Sequence, residues 1–402
     1  MTQDSKRLAD GVSRRKFLMT SGAVGAAGLA GCTGDSGSES TDAPTDSGNS
    51  GGDESSGEDT SGDSSEQESM DTSMLTAEGS STVYPISNKG SSYWNSNAPA
   101  SDGEYWGSNS ETSVPGWDEL KSNGAEGMRL ADYFASLYGF EPTGKQANPP
   151  FATSIGLSHS GTGCKSVRDG LVDIGNSSGP ITAELGWSEE KANEEVVDHV
   201  VGRDGQPVFV SQAIYDAGVE QLTGEEVRGI YQGEIQNWSE VGGPDEEIFV
   251  VGRAEGSGTD TSFRLNMLGD ADAPMEVDTR KGQNQQVKTV LQQNDNAIGY
   301  MALAFQGDGL APIAIDFEGT VYKPSKDAEN TIFDSSYPLN RDLHMYTKIT
   351  DDNPKGTDMR EAAFLNMHLT TFGQKVFVEQ VEYIPLPNKD LQKEKEKLPA
   401  QA

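Results

Sequence analysis

One short stretch combines a fixed cation with hydroxyls and glycines, a set of groups that suits the binding of an oxyanion. Residues 253–259 read Arg-Ala-Glu-Gly-Ser-Gly-Thr and follow an apolar run, residues 248–252. Arginine presents a planar fork of donors that matches a tetrahedral oxyanion, while serine and threonine donate hydrogen bonds and glycine lets backbone N–H groups approach a ligand closely. The same composition is common in a turn with a helix cap, so this stretch alone does not establish a site.

Two other turns have the same character. Residues 79–85 read Gly-Ser-Ser-Thr-Val-Tyr-Pro where a strand should end, and residues 158–163 read Ser-His-Ser-Gly-Thr-Gly before a predicted helix at 164–170. Unpaired N–H groups at helix N-termini favour an anion, and the carboxyl ends of strands are the usual ligand position in open α/β sheets. The three turns together predict one anion site. Separate helix capping at each turn is the alternative.

These turns need a scaffold that brings them together. After residue 75 short apolar strands alternate with helical stretches, which is typical of α/β layering around mostly parallel sheets. A capping box from Thr223 to Glu226 predicts a helix that runs towards Tyr231. The other predicted elements are helices at 128–138, 285–293 and 359–378 and strands at 172–175, 207–211 and 297–300.

The N-terminal residues 1–32 carry the pattern of an export signal. Paired arginines in residues 13–18 precede a weakly apolar run at 17–31, which is typical of a twin-arginine signal peptide. The run ends in Leu-Ala-Gly-Cys at residues 29–32, which resembles the lipobox of exported lipoproteins. We therefore expect export, lipidation of Cys32 and anchoring to the outer face of the cytoplasmic membrane. A short membrane anchor with an incidental cysteine is the alternative.

Charge and composition set further limits. The segment 33–73 is a low-complexity run of Gly, Ser, Thr, Asp and Glu, and such a run cannot bury enough apolar surface to fold, which predicts a disordered linker. A cation-binding tail is its alternative. The formal net charge of the 402 residues is −34, which excludes a nucleic-acid partner. This acidity resembles that of proteins from very salty media, as in haloarchaea.

Several motifs together resemble one known family. Beside the three turns, these motifs are residues 172–180, 230–238, 281–284 and 296–300. They resemble the substrate-binding proteins of high-affinity phosphate ABC transporters, which are periplasmic binding proteins of type II. The resemblance implies a two-lobed α/β fold with a hinged cleft that closes on inorganic phosphate and delivers it to a membrane ABC permease. It implies a monomer without a cofactor and without enzymatic activity.

The resemblance also implies a division of the chain. We expect a first lobe at 74–210, a second lobe at 211–303 and the rest of the first lobe at 304–390. The segment 91–127 lacks periodicity, which predicts a surface insertion in the first lobe, with a functional lid as the alternative. The Lys/Glu composition of residues 391–402 predicts a charged, solvated tail. The crossings between the lobes are predicted near 208–211 and 302–307.

Matching motifs carry the phosphate-binding residues over to this chain. They are Ser81, Thr82, Val83, Ser160, Gly161, Ser178, Arg253, Ser257, Gly258 and Thr259. Glu255 would hold the Arg253 guanidinium in place. Ser178 departs from the pattern, because relatives can carry an aspartate there that accepts the proton of phosphate and so disfavours sulfate. Asp173 is the residue that could supply the missing acceptor.

Three other functions stay open. The first is a receptor for another tetrahedral oxyanion, such as sulfate, molybdate or a phosphonate. The second is a phosphatase or serine hydrolase, but the four histidines have no metal-binding spacing and no Gly-x-Ser-x-Gly motif is present, so we predict no catalytic residue and no metal site. The third is a surface protein with a purely structural role.

Overall fold

The computed structural model describes residues 70–99, 117–307 and 309–402. The predicted signal peptide with Cys32 and residues 33–69 of the predicted linker lie outside the described residues. Residues 100–116 of the predicted insertion also lie outside them. In the part of the chain that is described, no helix is long and apolar enough to cross a membrane.

The described residues form strands and helices that alternate along the chain. The strands are β1 (Leu75–Ser80), β2 (Thr153–Ser158), β3 (Ile174–Ser177), β4 (Val196–Asp204), β5 (Val208–Ser211), β6 (Gln221–Thr223), β7 (Phe249–Arg253), β8 (Thr279–Lys281), β9 (Ala297–Tyr300), β10 (Leu310–Pro312), β11 (Ala314–Phe317), β12 (Thr320–Tyr322) and β13 (Arg341–Lys348). The α-helices are α1 (Tyr84–Ser96), α2 (Trp117–Leu120), α3 (Leu130–Ser136), α4 (Ser160–Arg168), α5 (Ile181–Leu185), α6 (Glu189–Glu195), α7 (Gln212–Asp216), α8 (Gly224–Tyr231), α9 (Gly258–Phe263), α10 (Asn284–Gln293), α11 (Met359–His368), α12 (Thr371–Gly373) and α13 (Asn388–Glu396). Short 3-10 or π segments extend several of them.

The first sheet has the strand order β2-β1-β3-β13-β4. Strand β1 pairs in parallel with β2 and β3, whereas β13 is antiparallel to both β3 and β4. The carboxyl ends of β1, β2, β3 and β4 therefore lie at the same edge as the amino end of β13.

The second sheet has the strand order β10-β5-β9-β7-β8, and a small third sheet has the order β12-β11-β6. Strand β7 is parallel to β8 and β9, whereas β5 is antiparallel to β9 and β10. The chain passes from the first sheet to the second between β4 and β5, and it returns after β12 to form β13. This arrangement confirms the predicted two-lobed α/β fold class.

The positions of many of these helices and strands were predicted from local sequence patterns. The capping box that opens α8 is present, because the Thr223 hydroxyl accepts from the Glu226 N–H and the Glu226 carboxylate accepts from the Thr223 N–H. Helix α10 and strand β9 begin within one residue of their predicted starts. The predicted strand at 172–175 lies two residues further along, at 174–177.

Strand pairing differs from the predicted lobe boundaries in two places. Strand β5 was expected at the crossing between lobes, but it lies inside the second sheet between β9 and β10. Residues 304–322 were assigned to the first lobe, but β10 is bonded to β5 and β11 to β6. Both pairings, β10 with β5 and β11 with β6, join strands that are far apart in the chain, and composition does not report such contacts. The boundaries themselves stay predictions.

The start of the predicted insertion at 91–127 belongs to the core. Helix α1 continues to Ser96, and the Trp94 side chain is fully buried. Its Nε1–H donates to the Phe151 carbonyl at 2.8 Å, and the two rings lie 4.8 Å apart. Residues 91–96 are thus helical, because Trp94 anchors this turn among aromatic side chains.

The C-terminal residues 391–402 are not the free charged tail that the Lys/Glu composition predicts. Helix α13 spans Asn388–Glu396, and Leu391 is buried against Leu369 and Leu386. The Glu394 carboxylate accepts from the Val200 N–H at 3.0 Å. One buried leucine and one buried acid fix the helix to β4, although charged residues cover its remaining surface.

Candidate anion-binding site

The hydroxyl-rich turns of the first sheet meet at one edge because β1, β2 and β3 run in parallel. Ser80 ends β1, Ser160 follows β2, and Ser178 follows β3, and all of them are buried. The Ser80 hydroxyl donates to Ser178 Oγ at 3.0 Å, and the Ser178 N–H donates to Ser160 Oγ at 3.1 Å. The turn at 79–85 and the turn at 158–163 are thus joined through the residue that follows β3.

The arginine of the third turn comes from the second sheet. Arg253 is the last residue of β7, and its side chain is fully buried. Its Nε donates to the Lys281 carbonyl at 3.1 Å and Nη2 to the Gly282 carbonyl at 2.7 Å, while Nη1 donates to Asn284 Oδ1. Nη2 also reaches Ser81 Oγ at 3.4 Å, which lies in the first lobe. The guanidinium is therefore held in a fixed orientation at the boundary between the lobes.

Glu255 does not hold the Arg253 guanidinium as predicted. Glu255 is exposed, and no hydrogen bond between the two side chains is present among the described residues. Backbone carbonyls of the β8–α10 corner and Asn284 fix the guanidinium instead. Burial lowers the pKa of Arg253 to about 10, and the nearby Arg341 cation acts in the same direction. Arg253 therefore remains a cation at neutral pH.

Direct contacts join the turns of the two lobes. The hydroxyls of Thr82 and Thr259 lie 3.0 Å apart, and the Asn284 Nδ2 donates to Thr82 Oγ1 at 3.2 Å. The Gly161 N–H donates to the Gly256 carbonyl at 3.0 Å. These contacts bring the predicted residues of both lobes to one buried point.

Three further predicted residues, Ser257, Val83 and Gly258, are buried at the starts of helices. Ser257 is buried directly before α9, and Val83 is buried directly before α1, where first-turn N–H groups have no helical partner. A Cβ on Gly258 would lie 2.3 Å from Ser160 Oγ and 2.7 Å from the Gly179 nitrogen. Only glycine at 258 allows the turn of the second lobe to approach the first this closely.

A second arginine, Arg341, enters the site, and the sequence did not reveal it. Its Nη1 donates to the carbonyls of Ser178 at 3.3 Å and Gly258 at 3.1 Å. Its Nη2 reaches Thr259 Oγ1 at 3.2 Å and Thr82 Oγ1 at 3.4 Å. Arg341 therefore contacts both lobes at the point where the hydroxyls converge.

The buried carboxylate of Asp204 pairs with Arg341. Asp204 Oδ2 lies 2.6 Å from Nη2 and 3.0 Å from Nε, and the side chains are 0% and 4% exposed. Asp204 ends β4 and Arg341 begins the antiparallel strand β13, so the two residues face each other across the ladder. No glycine or hydroxyl motif surrounds Arg341, and only the antiparallel pairing of strands far apart in the chain places it here.

Asp173 does not lie at the site. It precedes β3 whereas Ser178 follows it, which separates the two residues by the length of the strand, about 17 Å. The Asp173 carboxylate accepts from the N–H and hydroxyl of Thr76 and pairs with Arg360 at 3.0 Å. The carboxylates of Asp173, Asp358 and Glu361 lie close enough together to hold a metal ion. The contacts that Asp173 makes, to Thr76 and Arg360, join parts of the fold. Asp173 therefore does not replace the missing acceptor at Ser178.

The arrangement suits binding rather than hydrolysis. Two arginines and several hydroxyls can surround a small tetrahedral anion, because each group donates a hydrogen bond towards one buried point. His159 is adjacent to Ser160, but no hydrogen bond joins their side chains among the described residues. The pKa of His159 is lowered by partial burial and by the Arg253 cation. These two side chains therefore do not form a serine–histidine pair in the part of the chain that the structure describes.

Comparisons with known proteins find relatives of this chain. The chain is 34% identical over 206 residues to the phosphate-binding protein PstS of Bacillus subtilis and covers 63% of that protein, which is less than two thirds of its length. It is 29% identical over 261 residues to the phosphate-binding protein PstS of Staphylococcus saprophyticus and covers 76% of it. These matches span 50% and 62% of this chain.

A solved structure and a family model extend the comparison. The structure is a phosphate ABC transporter substrate-binding protein with bound phosphate from Clostridium perfringens, which is 20% identical with a TM-score of 0.54 and shares the fold. The match covers 78% of this chain and 100% of that chain. The model of the PBP superfamily domain matches residues 141–366, which is more than half of the chain. The chain therefore belongs to the PBP superfamily.

Proposed function

We propose that this chain binds inorganic phosphate between its two lobes and delivers it to a membrane ABC permease. The observation that carries the proposal is the convergence of Arg253 and Arg341 with the hydroxyls of Thr82, Ser160 and Thr259 at one buried point between the lobes. The relatives named above as phosphate-binding proteins support the same ligand.

The charges of the site suit an anion with more than one negative charge. Arg253 and Arg341 supply two positive charges, and the Asp204 carboxylate offsets part of the charge of Arg341. A bound phosphate would replace the hydrogen bond between the Thr82 and Thr259 hydroxyls, and each hydroxyl would then donate to a phosphate oxygen. Such a ligand would stabilise the closed arrangement because it is held from both lobes.

The motion expected for this function is a hinge closure. The chain leaves the first sheet between β4 and β5 and returns to it between β12 and β13, and these connections are the hinge segments that we propose. These segments differ in position from the crossings predicted from the sequence at 208–211 and 302–307. Ser178 offers a hydroxyl in place of a carboxylate, so the preference for phosphate over sulfate is the part of the proposal that most needs measurement.

We also propose that the protein works outside the cytoplasm. The predicted twin-arginine signal and the lipidation of Cys32 would export the chain and anchor it to the outer face of the cytoplasmic membrane. The acidic composition supports a role in a salty medium, where a Debye length of about 3 Å at molar salt lets a buried anion site function beneath a negative surface. A monomer is the proposed state.

Calorimetric titration with phosphate and with sulfate at high salt tests the function. We expect tight binding of phosphate and much weaker binding of sulfate. Binding of sulfate alone would assign the site to another oxyanion, and binding of neither anion would refute an anion receptor. Turnover of a generic phosphate ester that is abolished by Ser160→Ala would favour the enzyme instead.

A further inference from the structure

A carboxylate lies beside the anion site at the boundary between the lobes. Glu184 belongs to α5, which follows the turn that carries Ser178. A Cβ placed on Gly179 would lie 2.7 Å from Glu184 Oε1, and one placed on Gly161 would lie 3.2 Å from Oε2. Glu184 Oε1 is buried and has no hydrogen-bond partner among the described residues, although the residue as a whole is only half-buried.

The second lobe covers this carboxylate. A Cβ on Gly161 would lie 3.5 Å from Gly256 Cα, and one on Gly179 would lie 3.4 Å from Gly258 Cα. The turn that contains Gly256 and Gly258 therefore packs against the same two glycines that the carboxylate contacts. Because this turn belongs to the second lobe, separation of the lobes would return the carboxylate to water.

Charged and titratable groups face Glu184 from several elements. Burial is the largest influence on the pKa of Glu184 and raises it to about 7, while the Thr261 hydroxyl of α9 opposes that effect. Asp260, also in α9 of the second lobe, raises the pKa as well, whereas Arg341 of β13 and Lys165 of α4 lower it. The neutral Cys164 thiol also faces the carboxylate from α4.

The hydroxyl of Tyr346 approaches from β13, and it accepts the Ile181 N–H at 3.0 Å. This hydroxyl is therefore engaged at the start of α5. The groups around Glu184 leave its buried oxygen without a donor, so the neutral acid is the form that the closed lobes accommodate at lowest cost.

We propose that Glu184 couples closure of the lobes on the anion to the uptake of one proton. The proposal rests on the proposed function, since it requires that the lobes close on an anion. On closure a proton moves from solvent to the Glu184 carboxylate, and on opening it returns to solvent. Glu184 thereby makes anion release easier in alkaline medium than in acidic medium.

The direction of the pH effect follows from linkage. In open lobes the glutamate would have its ordinary pKa of about 4.3, and in closed lobes its pKa is about 7. The closed form binds more protons between these values, so anion affinity falls as pH rises from about 4.3 to about 7. Above that range both forms are ionised and Glu184 adds no further pH dependence.

The variant Glu184→Gln tests the coupling because it imitates the neutral acid without changing its size. Glu190→Gln, on the exposed start of α6, is the matched control. We expect Glu184→Gln to bind phosphate more tightly than the other two forms at both pH 5.5 and pH 8.5, because the wild-type glutamate is ionised in open lobes at both values. Its advantage should grow roughly tenfold or more from pH 5.5 to pH 8.5. Because the forms are compared at the same pH, the protonation state of phosphate affects the affinity of each form equally.

Proton uptake gives a second readout. Calorimetry at pH 6 in buffers of different ionisation enthalpy should show that the wild type takes up roughly half a proton or more per phosphate beyond Glu184→Gln. Equal uptake and parallel pH profiles would overturn the coupling and leave the proposed function intact. Absence of phosphate binding in the wild type would overturn both. If thermal melting shows that Glu184→Gln is unfolded, Glu184→Ala is used in the same comparison.

Discussion

The close approach of the two lobes can be tested with one methyl group. In Gly258→Ala the new Cβ would lie 2.3 Å from Ser160 Oγ and 2.7 Å from the Gly179 nitrogen. Nonbonded atoms prefer about 3.5–4.0 Å, so the turns would have to separate by roughly 1 Å. Gly258 is not among the glycines with positive φ, and alanine therefore suits the local backbone.

The loss of affinity can be worked out from the bonds that join the turns. Separation by this amount would break the bond from the Gly161 N–H to the Gly256 carbonyl, 3.0 Å, and the bond from the Ser262 hydroxyl to the Ser178 carbonyl, 2.7 Å. At about 1 kcal/mol each, their loss costs the closed form about 2 kcal/mol. Phosphate should then bind roughly 30-fold more weakly to Gly258→Ala.

Calorimetry with phosphate measures this change, and thermal unfolding checks that the variant remains folded. Gly161→Ala is the matched comparison, because its new Cβ would meet no atom closer than the Glu184 Oε2 at 3.2 Å and its N–H is retained. We expect a clearly smaller loss for Gly161→Ala. Affinity of folded Gly258→Ala within twofold of the wild type would show that direct contact of these turns is not part of binding.

Three other substitutions test separate parts of the structure. Arg253→Ala should weaken phosphate binding at least tenfold by calorimetry, since it removes a buried cation that faces the site, and unchanged affinity would remove Arg253 from the site. Arg341→Met leaves the buried Asp204 carboxylate without its cation, so urea unfolding should show a loss of about 3–5 kcal/mol; a loss below about 1 kcal/mol would contradict the buried pair. Leu391→Ala should lower the free energy of unfolding by about 2 kcal/mol, whereas no change would mean that α13 does not stabilise the fold.

Much of the site could be predicted because its residues lie in contiguous motifs. The turns that contain Thr82, Ser160 and Thr259 each follow a strand, and the rule that ligands bind at the carboxyl ends of parallel strands places the first two at one edge of the first sheet and the third at the end of β7 in the second. The prediction for Glu255 was wrong because spacing along the chain does not show which way a side chain points. The prediction for Asp173 was wrong because the strand begins at Ile174, so that Asp173 and Ser178 lie at its opposite ends.

The alternation of strands and helices, the three hydroxyl-rich turns and Arg253 could be predicted from the chain, because each depends on residues that are sequence neighbours. The meeting of Arg341 and Asp204, 137 residues apart, appears only in the folded structure, since it depends on the antiparallel pairing of β13 with β4. The folded structure also places Glu184 beneath the second lobe. Contacts across a sheet or between lobes arise from long-range packing, and no local pattern of residue types encodes them.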